Sequence, residues 1–512
     1  MINSKIKQQL QDISLGLVDP IDFILKLDKL SIHALTKPKF SPNHEDSFLT
    51  NGKIISEGVA AGKVYNNIAD LLRSDAKNKL LFIDRLTNDM VCHFDSIDGI
   101  ITMFEDPTSH AAIVANGSGL PLLNLSTSIN LTNGTEISLD CFQGSIYLGL
   151  LEIIEPPKNN RTATQLLELL SKYSKIQING NADNAHEVAM GDVWGAKAYE
   201  PRTEHMILKE EAIKCFRLLL LSNDQKVRSQ CLDSLEQFHK AAILDMYLAS
   251  GGKKLIIRLF DPPAHEFLPH DEKDLTRLQL DLGITEEELS KQIKSRQEIN
   301  PMMGHRGVRL LLTDTDILKM QVRAIFKASF EVSKMLDKII VPHITIPMVI
   351  EAKEIKLIKN IIYSVHKDME LSSNYQIGVM IETPRAVLNS EAIGREVDYI
   401  SFGTNDLTAQ TFAFSRGDVL DKFLTFYLDN DLIPVNPFIE LDETVAQQMS
   451  YSVDHLRKSN PNIWVGLCGE QGSQKKTIEF CNSLNMNSIS VAANKIPISL
   501  LYAAQANLQG GI

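Results

Sequence analysis

No stretch of this sequence approaches the roughly 18 consecutive apolar residues of a membrane span, so no transmembrane helix is expected. The opening Met1-Ile2-Asn3-Ser4-Lys5-Ile6-Lys7-Gln8-Gln9-Leu10 is polar and lacks the apolar core of a secretory signal. Cysteine is scarce. Cys92, Cys141, Cys215, Cys231, Cys468 and Cys481 are scattered without zinc-type spacing, which fits reduced thiols in the cytoplasm rather than a disulfide or zinc framework. Positive charge is in deficit: 52 Lys and Arg against 64 Asp and Glu leave a formal net charge of −12. That balance argues against nucleic acid as the main partner, although local arginine clusters can still hold an anionic substrate. No internal repeat, low-complexity tract or Gly-x-x-x-x-Gly-Lys-Ser/Thr nucleotide loop occurs. What remains is a chain of 512 residues, 44% hydrophobic and 23% charged, enough for a large core and for two or three domains.

The pattern along the chain changes twice. Residues 1–45 read as one or two amphipathic helices ending in a loop. Residues 46–152 hold short apolar runs such as Leu80-Leu81-Phe82-Ile83 and Gly99-Ile100-Ile101-Thr102, broken by Gly, Asp and Asn, with a helix after Thr108. This reads as a compact α/β or β-rich domain. Residues 153–170, opening near Glu155-Pro156-Pro157-Lys158-Asn159-Asn160, read as a linker. Over residues 171–512, apolar strands alternate with helices. The strand candidates are 175–179, 255–258, 344–349, 377–382, 399–403, 464–468 and 488–492. Apolar strands alternating with helices imply a parallel sheet covered on both faces, either a (β/α)₈ barrel or a doubly wound open sheet.

Several of these strands end in a reactive side chain: Arg258, Glu382, the run Thr404-Asn405-Asp406, and Cys468 between Leu467 and Gly469. In a barrel, such ends converge on one mouth. Glu382 and Asp406 are hard oxygen donors suited to Mg²⁺. Arg258 and Arg306, the latter in Gly304-His305-Arg306-Gly307, can hold a phosphate through paired hydrogen bonds. A thiol at Cys468 can give up a proton. Singly, a strand-end acid is most often a cap and a cysteine in an apolar strand most often core packing; it is the combination that points to chemistry.

The same segments carry a family resemblance. The chain resembles the phosphoenolpyruvate-utilising enzymes of pyruvate, phosphate dikinase type. The resemblance rests on Arg202-Thr203-Glu204-His205-Met206, on Arg258-Leu259-Phe260-Asp261-Pro262-Pro263-Ala264-His265-Glu266-Phe267-Leu268-Pro269, and on Asn300-Pro301-Met302-Met303-Gly304-His305-Arg306-Gly307. It continues through Ile381-Glu382-Thr383-Pro384-Arg385-Ala386, Ser401-Phe402-Gly403-Thr404-Asn405-Asp406-Leu407-Thr408 and Gly466-Leu467-Cys468-Gly469-Glu470, with Thr108-Ser109-His110-Ala111-Ala112 as the phosphohistidine loop. It implies a (β/α)₈ barrel that binds phosphoenolpyruvate or pyruvate, preceded by a small swivelling β/β/α domain. Arg258 and Arg306, assisted by Arg202, would hold the phosphate, and Asn405 would contact the substrate. Glu382 and Asp406 would bind Mg²⁺, Cys468 would protonate the enolate, and His110 would take the phosphoryl group. A homodimer is implied as well.

Two departures qualify that picture. Nucleotide-binding domains of the dikinase kind are missing ahead of the histidine domain, so the expectation is a phosphotransferase working with a separate nucleotide-binding partner or another acceptor. The loop before His110 carries Phe104-Glu105-Asp106-Pro107 where the family has glycines, and Asn116 stands where it has an arginine. A sensor of phosphoenolpyruvate or pyruvate without turnover, or a barrel that only enolises a pyruvate-like acid, are therefore the competing expectations. A smaller departure is Tyr199-Glu200-Pro201, where the family has an apolar strand with glycine.

Overall fold

The fold is described from a computed structural model covering every residue except 1, 42–46, 88, 89, 91, 92, 95, 106–109, 126–128, 155–159, 208, 209, 262–266, 270, 271, 299, 301, 302, 371–373, 416–418, 511 and 512. The chain divides into two compact units, residues 1–170 with 414–439, and residues 171–413 with 440–512.

The first unit opens with three helices, Ile2–Ser14, Pro20–Lys26 and Lys29–Thr36, rather than one or two. The sequence sets the extra break. Asp19 caps a helix that has Pro20 at its first position, and Asp28 accepts from the Ser31 N–H at 2.8 Å to start the next. Strand β1 (Lys39–Phe40) pairs antiparallel with β9 (Ile153–Ile154). Between them lie β2 (Phe48–Ser56), β3 (Val59–Tyr65), β4 (Lys79–Ile83), β5 (Gly99–Thr102), β6 (Leu122–Leu125), β7 (Glu136–Asp140) and β8 (Ser145–Leu148). These seven close into a barrel in the order β2-β6-β5-β4-β3-β7-β8. The run β3-β4-β5-β6 is parallel and the other pairings are antiparallel.

Neighbouring residues in the apolar runs divide between two cores because side chains alternate along a strand. Leu80, Ile101 and Leu123 join Val64, Ile137, Leu139 and Ile146 in one cluster. Leu81, Ile100 and Leu122 pack instead with Ala111, Ala112 and Ala115 of the helix His110–Ser118. Burial on both faces is why these strands are apolar throughout. The interval 153–170 holds β9 and most of the helix Arg161–Tyr173, whose Ala163, Leu166, Leu167 and Leu170 are buried at helical spacing. The proline pair expected to open a linker there lies outside the described residues.

The second unit is a closed barrel of eight parallel strands, which excludes the open-sheet alternative. Its strands are β10 (Gln177–Asn181), β11 (Ala198–Tyr199), β12 (Lys254–Arg258), β13 (His343–Ile346), β14 (Gln376–Ile381), β15 (Tyr399–Phe402), β16 (Trp464–Leu467) and β17 (Ser488–Ala492). β17 pairs with β10 to close it. Only two residues long, β11 has no periodic signal and was absent from the sequence expectation. β13 ends at Ile346 rather than continuing to 349. Pro347 has no N–H to extend the ladder, and Met348 turns into the left-handed region with φ of 58°. The segment Phe414–Ile439, inside the interval expected to be barrel, groups with the first unit. It holds an aromatic cluster of Phe414, Phe423 and Tyr427.

Candidate functional site

The expected side chains sit at the C-terminal ends of the barrel strands, and Arg306 and Asp406 are joined there by hydrogen bonds that also take in Asp261, an acid the sequence pattern does not single out. Arg306 is 9% exposed. Its Nε and Nη2 donate to Asp261 Oδ1 and Oδ2 at 3.1 and 2.6 Å, and its Nη1 donates to Asp406 Oδ1 at 2.9 Å. The Nε also donates to the Asp261 carbonyl at 3.1 Å. Asp261 is 1% exposed and lies 3.7 Å from Arg258 Nη1 as well. Its position three residues after a strand-end arginine was the signal that could have found it. Gly307 sets the approach: its φ is +57°, and a Cβ there would meet Asp261 Oδ1 at 2.8 Å.

Arg258 ends β12 and forms a parallel bridge with Arg202. It donates to Glu204 from Nη2, while its Nε and Glu204 Oε2 are buried without a hydrogen-bond partner among the described residues. Those two atoms keep unused hydrogen-bonding capacity. Arg202 is held elsewhere: its backbone N–H and its Nε donate to Asp183 at 2.9 and 3.1 Å, and His205 Nδ1 shares the same carboxylate at 2.9 Å. The hydrogen bonds from His205 and Arg202, with their charge, hold Asp183 well below the usual carboxylate range despite its burial.

Glu382 follows β14 and is 1% exposed. It accepts the Met348 N–H at 2.6 Å, so the turned backbone at Met348 aims a donor at it. A non-glycine residue in the left-handed region costs about 1–2 kcal/mol, a strain stored against this carboxylate. Gly403 leaves room on the other side, since a Cβ there would lie 2.4 Å from Glu382 Oε2. Burial raises the Glu382 pKa, and the neighbouring Asp406 and Asp261 raise it further. Asp406, in the first turn of the helix Thr404–Phe412, is also raised, by burial and by Asp261, against the opposing pull of Arg306. Two carboxyls that hinder each other's ionisation gain from a cation, and Mg²⁺ commonly takes one or two carboxylates and completes its shell with water and substrate oxygens. The donor pair therefore fits Mg²⁺. Among the described residues, no group of three or more His, Cys, Asp or Glu side chains is arranged as a closed metal cage.

Asn405, beside Asp406, accepts the Glu470 N–H at 3.3 Å, which ties the ends of β15 and β16 together. Cys468 directly follows β16. Its N–H donates to the Phe402 carbonyl at 3.0 Å, and its Sγ lies 3.8 Å from Met380 Sδ. Burial and the nearby Glu200 carboxylate push its thiol pKa well up, so the thiol carries its proton at neutral pH. Glu200, noted in the sequence only as a departure, is thus part of the surroundings of Cys468.

In the first unit, His110 begins the helix His110–Ser118, and its side chain lies outside the described atoms, as do residues 106–109. Glu105 is described. It is 6% exposed, its Oε2 accepts the Leu86 N–H at 2.5 Å, and its own N–H donates to Asn124 Oδ1 at 3.1 Å. The Glu105 carboxylate, which stands where the family has glycine, is therefore engaged with a backbone amide. No helix among the described residues is long and apolar enough to cross a membrane.

Comparison with known proteins gives one consistent answer. Residues 157–508 match the model of the PEP-utilising enzyme PEP-binding domain, and residues 76–144 match that of the PEP-utilising enzyme mobile domain. The chain is 34% identical over 521 residues to a pyruvate, phosphate dikinase of Clostridium symbiosum, covering 96% of this chain and 59% of that protein. The enzyme of the same name from Rhizobium meliloti is 29% identical, covering 97% and 57%. That of Entamoeba histolytica is 31% identical, covering 96% and 59%. The chain thus spans about three-fifths of the length of these relatives.

Proposed function

The chain belongs to the PEP-utilising enzyme family, and from that premise we propose that it moves a phosphoryl group between phosphoenolpyruvate and His110, with a separate nucleotide-binding protein or another acceptor completing the exchange. The observation that carries the reading is the convergence of Arg258, Arg306, Asp261, Glu382 and Asp406 in one buried network at the mouth of the barrel. Phosphoryl transfer needs positioning and charge neutralisation more than covalent help from the protein.

In this reading Arg258 offers its unpartnered Nε, and Arg306 shares Nη1 between Asp406 and a phosphate oxygen. Arg202 assists from the neighbouring strand end, and Asn405 orients the carboxylate end of the substrate. Glu382 and Asp406 would hold Mg²⁺, which when bound neutralises charge on phosphate and enolate oxygens. Cys468 delivers its proton to C3 of the enolate, forming pyruvate, and withdraws it in the opposite direction. The working form is a cytoplasmic homodimer.

Incubation with phosphoenolpyruvate labelled on phosphorus, followed by a search for acid-labile label on the protein, tests the transfer. Label on wild type and none on His110→Ala supports it. Binding of phosphoenolpyruvate without label sinks the transfer and leaves a sensor. Calorimetric titration with Mg²⁺ present tests the site: Glu382→Ala and Asp406→Ala should each weaken phosphoenolpyruvate binding at least tenfold, and unchanged affinity in both rejects the metal assignment. Sedimentation at micromolar concentration checks the homodimer.

A further inference from the structure

Glu200 lies just past the two-residue strand β11, with its N–H bonded to the Gly180 carbonyl at 2.9 Å. Its side chain enters the barrel beneath the site. Oε1 accepts from Ser490 Oγ of β17 at 2.5 Å, and Oε2 lies 3.5 Å from Ser401 Oγ of β15. Asn179 of β10 and the Cys468 thiol lie close enough to favour its charged form. The register explains why they meet. Ser401 pairs with Gly466, and Gly466 with Ser488. Continuing two residues along the same face sets Cys468 beside Ser490. Gly466, one layer below the thiol, has no side chain to fill the space between these strands.

Both hydroxyl donors to Glu200 are uncharged. The charged and titratable groups that face it from the packed elements are Lys254 of β12, Tyr399 of β15 and Cys468 after β16. Lys254 acts on it only through its field, and its Nζ sits over the Trp464 ring at 4.9 Å. A carboxyl group without a salt-bridge partner among the described residues, placed under a thiol, is suited to trading a proton with it. The charges of Arg258 and Glu382 act on the thiol with opposite signs.

We propose that Glu200 is the proton partner of Cys468, positioning the thiol and returning its proton after each use; this rests on the reading of Cys468 as the acid at C3. In the direction of pyruvate formation, the S–H bond breaks as the C3–H bond forms, and the enolate electron pair closes on C3 to leave the ketone and a thiolate. The Glu200 O–H then breaks, S–H re-forms, and the Glu200 carboxylate takes a proton from water. In the opposite direction Glu200 carboxylate accepts the thiol proton, and the thiolate removes a proton from the pyruvate methyl group. Burial, the first influence on Glu200, holds its carboxyl above the usual range, which favours the protonated form needed for the first direction.

Two measurements on the full chain test this. The first is alkylation of Cys468 by iodoacetamide as a function of pH, read on the Cys468 peptide by mass spectrometry. Replacing Glu200 by Gln keeps the shape and removes the charge that opposes the thiolate. Glu200→Gln should therefore shift the profile to lower pH, with about tenfold faster alkylation at a fixed pH below the midpoint. Superimposed profiles overturn the proposal. Should Glu200→Gln not fold, Glu200→Leu, which puts an apolar side chain in that layer, reads the same shift. The second is exchange of the pyruvate C3 protons with deuterium in the presence of Mg²⁺. Glu200→Gln should slow it at least tenfold and change its pH profile while pyruvate affinity stays the same, and an unchanged rate and profile again overturn the proposal. If wild type itself shows no exchange, the reading of Cys468 as the C3 acid has failed, and the alkylation profile alone decides whether Glu200 and Cys468 share a proton.

Discussion

The two barrels are built on opposite rules. The interior cluster of the seven-strand barrel is apolar, with Val64, Leu80, Ile101, Leu123, Ile137, Leu139 and Ile146 all buried. The eight-strand barrel admits an apolar cluster of Ala198, Ile256 and Tyr399 with Trp464, and above it Glu200, Ser401, Ser490 and Cys468, then Arg258, Arg306, Glu382 and Asp406. A small barrel filled with hydrocarbon is a stand for the helix packed on its outside. A large one can spend part of its interior on paired charges because its surrounding helices bury so much apolar surface.

The sharpest way to break the comparison is to unpair the charges. Asp261→Ala leaves Arg306 buried with its main partner gone, and breaking such a pair costs about 3–5 kcal/mol. Calorimetry should show that loss in the larger unit. Leu139→Ala in the small barrel should cost about 2–5 kcal/mol by cavity formation, yet leave phosphoenolpyruvate binding to the other unit unchanged in a titration. Gly403→Ala drives a methyl group into Glu382 Oε2. The expected penalty is about 1–3 kcal/mol from overpacking, with weaker ligand binding, read by denaturation and titration together.

The comparison also has a consequence in pH. Glu382 and Asp406 have raised pKa values. The native state therefore binds their protons more tightly than the unfolded chain does. Their contribution is fully present below the unfolded carboxyl range and is lost as pH rises through the raised values. Metal-free protein should thus lose stability from mildly acid toward neutral pH. Glu382→Gln should flatten that slope, gaining about 1.4 kcal/mol above it for each unit by which the pKa had been raised. A steeper slope in the variant would contradict the assignment, and added Mg²⁺ should flatten the wild-type slope if the pair binds it.

Much of this was legible in the sequence because parallel strands buried on both faces are apolar runs, and polar side chains at their ends stand out against them. Arg258, Glu382, Asp406 and Cys468 were found in that way. Asp261 was not, because it sits in a loop and acquires its place through Arg306, 45 residues further on. β11 was missed because two residues carry no period. Glu200 could be seen as odd but not placed, since its partners Asn179, Ser401 and Ser490 are far apart in the chain and meet only when the barrel closes. The start of the third helix at Asp28 was written in its capping residue and was readable in principle.

The short pairing of β1 with β9 has a consequence for how such a protein is put together. Phe40 faces Ile153, and the Ser41 N–H reaches the Glu152 carbonyl at 3.0 Å. The whole seven-strand barrel leaves and re-enters the chain through a gap one strand spacing wide, about 4.8 Å. In genetic terms it is a cassette. Cutting at those two points and joining the ends with a two-residue turn removes it with little strain on the flanking chain, and a different domain whose termini lie equally close fits the same gap. Shuffling of coding segments at this neck would exchange the small barrel without disturbing a single strand of the larger one.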